Sequence, residues 1–166
     1  MEYSFLMIKP DAYNRDRDIA LDIKNDILLM CQQQGLSVVY ERTKRLTRDD
    51  VVKIYPTIFQ KSFFREFITL MTSNLSILIL LSGVDAIKKT KIIRGFHKTK
   101  ESNETLGIRG KYCYVEDISP EDIAMLKANC HPQRKRLVDI IIEGIVHAPD
   151  TPDELPVVLD IFGKKE

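Results

Sequence analysis

The chain has 166 residues and a mass of 19.2 kDa, a size that fits one domain with a genuine hydrophobic core. Its 44% hydrophobic and 30% charged residues are ordinary for a soluble globular protein. The formal net charge of +1 gives no bulk field for nucleic acid or a membrane surface, so any anion must be bound by a local cluster of cations.

Cysteine usage and the N-terminus indicate where the protein works. Three scattered cysteines (Cys31, Cys113 and Cys130) do not make a disulfide framework, which favours a reducing compartment. The longest apolar run, Leu75 to Leu81, is too short to span a bilayer, and Glu2 stands where a secretory leader would be basic. We therefore expect a cytoplasmic protein with no membrane partner.

The N-terminal third alternates strand and helix patterns. Tyr3 to Ile8 is nearly all apolar and ends at Pro10, which predicts a buried strand. Apolar residues at helical spacing from Ile19 to Cys31, followed by Gly35, predict a helix and its stop. Leu36 to Arg42 then alternates as a strand with one wetter face.

The middle third continues the alternation. Apolar residues from Phe63 to Met71 share a helical face, with Ser62 as the expected N-cap. Leu75 to Leu81 is apolar on both faces and is predicted to be a central strand. Asp85 is the expected cap of a helix from Ala86 to Arg94, which a glycine ends.

These elements predict an α+β fold. With one more strand at Ile145 to His147, the order fits a four-stranded split βαβ sheet with helices on one face. The chain shows no long linker, internal repeat or low-complexity segment, so residues 1–166 are expected to form a single domain.

The segment between Arg109 and His147 is unusually long and is predicted to be a helical insertion. Ser119 and Pro120 read as a cap and a first-turn proline, and residues 133–143 predict a second helix. The basic run at 131–136 is a weak signal for nucleic acid or localisation, and a solvated helix face is the favoured interpretation.

Three short motifs carry chemistry. An apolar run, Ile145 and Val146, delivers His147 into a polar turn, Lys9 follows the first strand, and Arg109 stands before a glycine. A neutral imidazole nucleophile with a lysine and an arginine to hold anionic oxygens is a minimum set for phosphoryl transfer.

Together these motifs resemble the nucleoside diphosphate kinase family, over about residues 3 to 162. The matching pieces, in family order, are Lys9-Pro10-Asp11, Tyr55 followed eight residues later by Phe63 and Phe64, Gly95, Ile108-Arg109-Gly110, and the run from Ile145 to Asp150. Each piece is modest, but five in the right order are a strong signal.

The resemblance implies a ferredoxin-like fold and a ping-pong reaction in which His147 takes the γ-phosphate of a nucleoside triphosphate and passes it to a nucleoside diphosphate. Mg²⁺ would arrive on the nucleotide phosphates without metal ligands from the protein, and family members assemble as homo-oligomers built from dimers. It implies a catalytic His147, phosphate contacts from Lys9 and Arg109, and a base stacked on Phe63. The implied nucleotide-binding set is Lys9, Tyr55, Phe63, Phe67, Lys91, His97 and Arg109.

The chain also departs from the family pattern. Lys91 replaces a second phosphate-binding arginine, His97 a threonine, Gly144 an asparagine and Pro149 a serine. The glutamate that normally orients the histidine falls, on ungapped counting, at Val158, with Glu154 or Asp160 as possible substitutes.

Three hypotheses from different classes follow. Besides an active kinase, the chain could be a catalytically weakened nucleotide-binding member with a regulatory or scaffolding role, or a nucleic-acid-associated protein using Arg134 to Arg136. Taken singly, His147 would more often be a structural histidine, and Phe63 and Phe67 core residues. Retention of His147, Lys9 and Arg109 favours the active enzyme, and the near-neutral charge disfavours nucleic acid.

Overall fold

The computed structural model describes residues 1–95, 107–113 and 118–163. The strands are β1 (Glu2–Ile8), β2 (Ser37–Arg45), β3 (Leu75–Gly83) and β4 (Val146–His147). The helices are α1 (Pro10–Arg15), α2 (Arg17–Gln33), α3 (Arg48–Ile54), α4 (Phe64–Thr72), α5 (Ala86–Arg94), α6 (Ile108–Tyr112), α7 (Pro120–Lys127), α8 (Arg134–Ile142) and α9 (Glu154–Phe162), with a 3₁₀ turn at Ile58–Gln60. In these three ranges, no helix combines the length and apolar character needed to cross a bilayer.

The four strands form one antiparallel sheet in the order β2-β3-β1-β4, as expected for a ferredoxin-like split βαβ fold. The predicted α+β class and four-stranded antiparallel sheet are therefore confirmed. β3 is central, as predicted, because its nearly continuous apolar run is buried on both faces. β2 lies at the edge, where Val38 and Val39 are each nearly half exposed, at 46% and 45%.

Helices cover both faces of the sheet, so the expectation of helices on one face is wrong. Side chains of β1 alternate: Leu6 and Ile8 join one core with α2 and α5, whereas Phe5 and Met7 join another with α3, α4, α8 and α9. The apolar faces of α8 and α9, which lie in or after the insertion, join those of α3 and α4 in this second layer. A strand apolar on both sides needs two covered faces, which is what β1 and β3 have.

Two predicted helix starts differ in detail. α4 begins one residue later than expected: Phe63, not Ser62, occupies the N-cap and provides no side-chain cap bond. α5 has the predicted bounds, but Asp85 takes a left-handed conformation (φ 55°) and its carboxylate does not cap the helix. The short helices α1, α3 and α6 have polar or mixed sequences with little helical periodicity.

The predicted helical insertion is present as two consecutive helices, α7 and α8. Ser119 and Asp122 form a reciprocal capping box at the start of α7, where the sequence predicted the cap. Leu126 of α7 and Leu137 of α8 are buried in the second core. The insertion is therefore packed on the domain that carries it.

Candidate functional site

A strained turn places His147 on the sheet. β4 pairs with β1 so that His147 lies opposite Met7. Ile145, just before β4, has φ 65°, a left-handed conformation that is costly for a β-branched residue. Its N–H donates to the Asp11 carboxylate at 2.8 Å and its carbonyl accepts from the Lys9 N–H at 2.7 Å. The Lys9-Pro10-Asp11 motif therefore fixes the backbone that leads into the histidine.

His147 is held by one carboxylate and two aromatic rings. Its Nε2 is hydrogen-bonded to Glu154 Oε2 at 2.9 Å, and its side chain is 14% exposed. The rings of Tyr55 and Phe5 lie 5.0 and 5.7 Å from the imidazole centroid. Because Glu154 occupies Nε2, the nitrogen left for a reaction is Nδ1.

The orienting carboxylate lies one helical turn before the position that ungapped counting indicates. Glu154 is the first residue of α9, whereas Val158 is 1% exposed in the core and Asp160 lies on the exposed side of the helix. The N–H of Asp150 donates to Glu154 Oε1 at 2.7 Å. A backbone group thus holds the second carboxylate oxygen, beside Pro149, where the family has a serine.

The surroundings of His147 favour a neutral imidazole. Burial lowers its pKa below the ordinary value, and the positive charges of Lys9 and Arg109 lower it further. The hydrogen bond and charge of Glu154 act in the opposite direction but do not outweigh burial. Burial alone would raise the pKa of Glu154, but its bonds to His147 and the Asp150 N–H outweigh it and leave that pKa lowered. The pair is a neutral imidazole beside an ionised carboxylate.

Lys9 is a buried cation beside the histidine. It is 4% exposed, and its ammonium donates to the carbonyl of Ile142, the last residue of α8, at 2.6 Å. Burial lowers its pKa, which the charge of Asp11 partly opposes. The ammonium also lies 5.5 Å from the centroid of the Phe67 ring. In this structure a helix C-terminus, with its partial negative charge, partners Lys9.

Arg109 holds the segment that leads into His147. Its Nε donates to the Gly144 carbonyl at 3.2 Å and its Nη2 to the Val146 carbonyl at 3.0 Å. A Cβ on Gly144 would lie 3.2 Å from Nη2, so an asparagine at position 144 would press on the guanidinium. Arg109 lies in helix α6.

Two glycines bring α6 against the end of α5. Gly95 has φ 86°, which favours glycine, and a Cβ on Gly107 would lie 2.3 Å from the Gly95 Cα. The two backbones therefore touch, and Arg109 lies next to Arg94. Burial is the largest cause of the lowered pKa of Arg109, and the positive charge of Arg94 is the second.

Lys91 and Arg94 project from the last turn of α5 toward Asp150. Lys91 Nζ is 3.7 Å and Arg94 Nη1 is 3.9 Å from Asp150 Oδ1, and Lys91 also donates to the Asp150 carbonyl at 3.1 Å. Sequence reasoning missed Arg94, although it stands three residues after Lys91 and so shares its helix face. His97, the other residue predicted from this region, lies outside the described residues.

The three predicted aromatic residues are only partly arranged for stacking. Phe67 is 7% exposed, and its ring packs edge-on to Tyr55 with centroids 4.8 Å apart. Burial raises the pKa of the Tyr55 hydroxyl. Phe63 is half-buried at the start of α4, where it packs against the second core. Tyr55 therefore lies beside His147, and Phe67 lies beside Lys9.

Within residues 1–95, 107–113 and 118–163, no group of three or more His, Cys, Asp or Glu side chains is placed to hold a metal ion. The chemistry of the described site is cationic, with Lys9, Lys91, Arg94 and Arg109 converging around His147 and Asp150.

Comparisons with known proteins identify the family of the chain. A sequence model of the family described as nucleoside diphosphate kinase matches residues 2–166. A nucleoside diphosphate kinase of Halorhodospira halophila is 31% identical over 102 residues, 61% of this chain and 68% of the relative. One of Saccharolobus islandicus is 29% identical over 112 residues, 68% of this chain and 76% of the relative.

Solved structures share the fold. The nucleoside diphosphate kinase of Encephalitozoon cuniculi superposes with a TM-score of 0.72 at 19% identity, covering 99% of this chain and 90% of that one. The enzyme of Halobacterium salinarum, solved with CDP, gives 0.69 at 20% identity, covering 99% and 88%. With a family match over nearly its whole length, the chain belongs to the nucleoside diphosphate kinase family, whose members are nucleotide-binding phosphotransferases.

Proposed function

We propose that this chain moves the γ-phosphate of a nucleoside triphosphate to a nucleoside diphosphate through a phosphohistidine on His147. The observation that carries the proposal is the bond between His147 Nε2 and the Glu154 carboxylate, made by an imidazole whose burial lowers its pKa. A nucleophile needs a free lone pair, and this bond leaves the lone pair on Nδ1.

In the first half-reaction, Nδ1 attacks the γ-phosphorus, the bond from phosphorus to the bridging oxygen breaks, and the diphosphate leaves with the electron pair. The imidazole becomes positively charged as the P–N bond forms, and the Glu154 carboxylate stabilises that charge. In the second half, a terminal oxygen of another diphosphate attacks the same phosphorus, and the P–N electron pair returns to the ring.

The cations around the histidine would hold the phosphates. Lys9 meets the transferring group as a point charge, and Arg109 grips oxygens through its planar fork. Lys91 was the predicted substitute for a second arginine; Arg94, one turn on, supplies the guanidinium that Lys91 lacks. Mg²⁺ would come with the nucleotide, because this ion binds mainly through phosphates and water and needs few protein ligands.

Phe63 would stack on the base, and Tyr55 and Phe67 would support the ribose side of the site. Stacking tolerates any base, which suits an enzyme that accepts many nucleosides. The H. salinarum structure was solved with CDP, and a nucleotide ligand in a protein of the same fold supports nucleotide substrates for this chain.

Assembly and location complete the proposal. The exposed β2 edge, with Val38 and Val39, suits pairing with a second copy, so we propose a homo-oligomer built from dimers. Residues 1–166 would act as one domain in the cytoplasm. Light scattering at micromolar concentration tests the oligomer: a mass of one 19.2 kDa chain would rule it out.

The alternative is a nucleotide-binding member with weakened chemistry. It is favoured by one observation: Lys9 and Arg109 are bonded to main-chain carbonyls in this structure. One experiment separates the two functions. On incubation with γ-labelled ATP, the active enzyme becomes labelled through an acid-labile bond, and His147→Ala binds nucleotide but takes no label. Undiminished labelling of that variant would remove His147 as the nucleophile.

A further inference from the structure

The basic segment at 131–136 contains one residue that ties the insertion to the rest of the molecule. Arg134 contacts the Glu66 carboxylate of α4 through Nη1, donates from Nη2 to the Ser62 carbonyl at 3.0 Å, and from Nε to Asn129 Oδ1 at 3.3 Å. Its hydrogen bond is the main cause of the lowered pKa of Glu66. The guanidinium reaches these three acceptors from the three nitrogens of one rigid plane, whereas a lysine has a single ammonium nitrogen.

The neighbouring basic side chains bond within the insertion itself. Lys135 pairs with Asp139 of the same helix at 2.9 Å, and Arg136 donates to Gln133. The Lys135 side chain is 92% exposed. Lys135 therefore offers a matched control: a cation adjacent to Arg134 that reaches no other element through this pair.

The two ends of α8 reach the two ends of the nucleotide site. At its start, Arg134 bonds the carbonyl of the peptide group that joins Ser62 to Phe63. At its end, the Ile142 carbonyl accepts from Lys9. Nine residues of helix extend about 13 Å, so α8 runs from the side of Phe63 to the side of Lys9. Leu137 and Val138 pack into the same core as Phe67 on the way.

We propose that the inserted helix α8 is a wall of the nucleoside half of the site, and that Arg134 is the positioning residue that holds this wall against Phe63. The proposal rests on the proposed function, since it assigns a role toward the nucleoside of the same substrates. Loosening the clamp then weakens recognition of the nucleoside, and leaves the reactivity of His147 toward a donor without a nucleoside unchanged.

The test compares Arg134→Lys and Glu66→Gln with Lys135→Ala. Arg134→Lys keeps the charge but loses the fork, and Glu66→Gln weakens the same clamp from the α4 side, so neither depends on a destabilising truncation. KM and kcat are measured for ATP and ADP, and labelling of His147 is measured with phosphoramidate, a small phosphoryl donor that has no nucleoside.

We expect KM for both nucleotides to rise about fivefold in Arg134→Lys and about twofold in Glu66→Gln, with kcat and phosphoramidate labelling unchanged. Lys135→Ala should match the wild type. KM values for the two clamp variants equal to that of Lys135→Ala would overturn the proposal. A loss of phosphoramidate labelling as large as the loss with nucleotides would also overturn it, since the helix would then support the whole site. Wild-type protein that takes no label from ATP would refute the proposed function instead. The clamp would then be judged by the dissociation constant for ADP, which the same two variants should raise.

Discussion

The site has a histidine end, formed by His147, and a cation end, formed by Lys9 and Arg109, and the two ends are held in different ways. His147 is fixed by side chains: the Glu154 carboxylate on Nε2 and the Tyr55 ring beside it. Lys9 and Arg109 instead donate to main-chain carbonyls of the insertion and of the segment before His147. Under the proposed function, the imidazole is already oriented for attack, whereas the cations would exchange neutral carbonyls for phosphate oxygens. A phosphate oxygen carries a negative charge that a carbonyl lacks, so the cations form ion pairs with it, which favours that exchange.

The cation end should give the largest loss when it is broken. Replacing Arg109 by Lys removes the fork that can exchange two carbonyls for two phosphate oxygens. We expect a loss of about 2–4 kcal/mol of transition-state stabilisation, measured from kcat/KM.

A control for this variant lies on the same helix. Lys111 is exposed on α6 and pairs with Asp26 at 2.6 Å, away from His147, so Lys111→Ala should retain activity. A loss smaller than about tenfold for Arg109→Lys, under 1.4 kcal/mol, would make the arginine peripheral to the reaction.

Phe63 belongs to neither end, so its substitution should weaken nucleotide binding without changing the chemical step. Phe63→Ala should weaken ADP, GDP and CDP alike by about 1–3 kcal/mol, because stacking depends little on base identity. Isothermal titration with the three diphosphates measures it. Phe59, which is 48% exposed and packs on Phe64, is the matched aromatic control. If the affinity did not fall, or fell only for the purine nucleotides, the role of Phe63 would be purely structural.

The histidine end should respond to Glu154→Gln with a smaller loss and a changed pH profile. A neutral amide stabilises the phosphorylated imidazole less than a carboxylate does, so we expect kcat to fall about tenfold. Glu154 also raises the pKa of His147, so its removal lowers that pKa. Because the neutral form attacks, the acid limb of kcat/KM should move to lower pH.

An exposed carboxylate on the same helix provides the comparison. Asp160→Asn changes charge on α9 without touching His147, and its pH profile should overlay that of the wild type. An acid limb that stays in place in Glu154→Gln would show that the carboxylate does not act on the imidazole.

Sequence alone gave the parts of this molecule that depend on local pattern. β1 and β3 are recognisable because their apolar runs are long, and His147, Lys9 and Arg109 because they stand in short motifs in a fixed order. Glu154 could be named only as one of two substitutes, since its role depends on where α9 begins relative to β4. Arg94 was missed because a helix face toward Asp150 is a tertiary property. The second helical layer was missed because the apolar face of a helix, here of α3, α4, α8 and α9, does not indicate which side of a sheet it covers.

The smallest expected effect is on the thermal stability of the folded protein, and it reports the protonation state of His147 directly. The pKa of His147 is lowered in the folded protein, chiefly by burial, whereas an unfolded histidine titrates near about 6.5. As pH falls below that value, the unfolded chain takes up this proton before the native state does, so native stability is lost. Protonation of carboxylates whose pKa is lowered, such as Glu154 and Asp50, also destabilises the folded protein, but only below the ordinary carboxyl pKa of about 4. Thermal unfolding of the wild type and His147→Gln from pH 8 to 5 isolates the histidine, because the other groups are common to both. We expect Tm to fall less steeply in the variant below pH 6.5. Parallel curves would mean that His147 is protonated equally in both states, and the imidazole would then not be held neutral for attack.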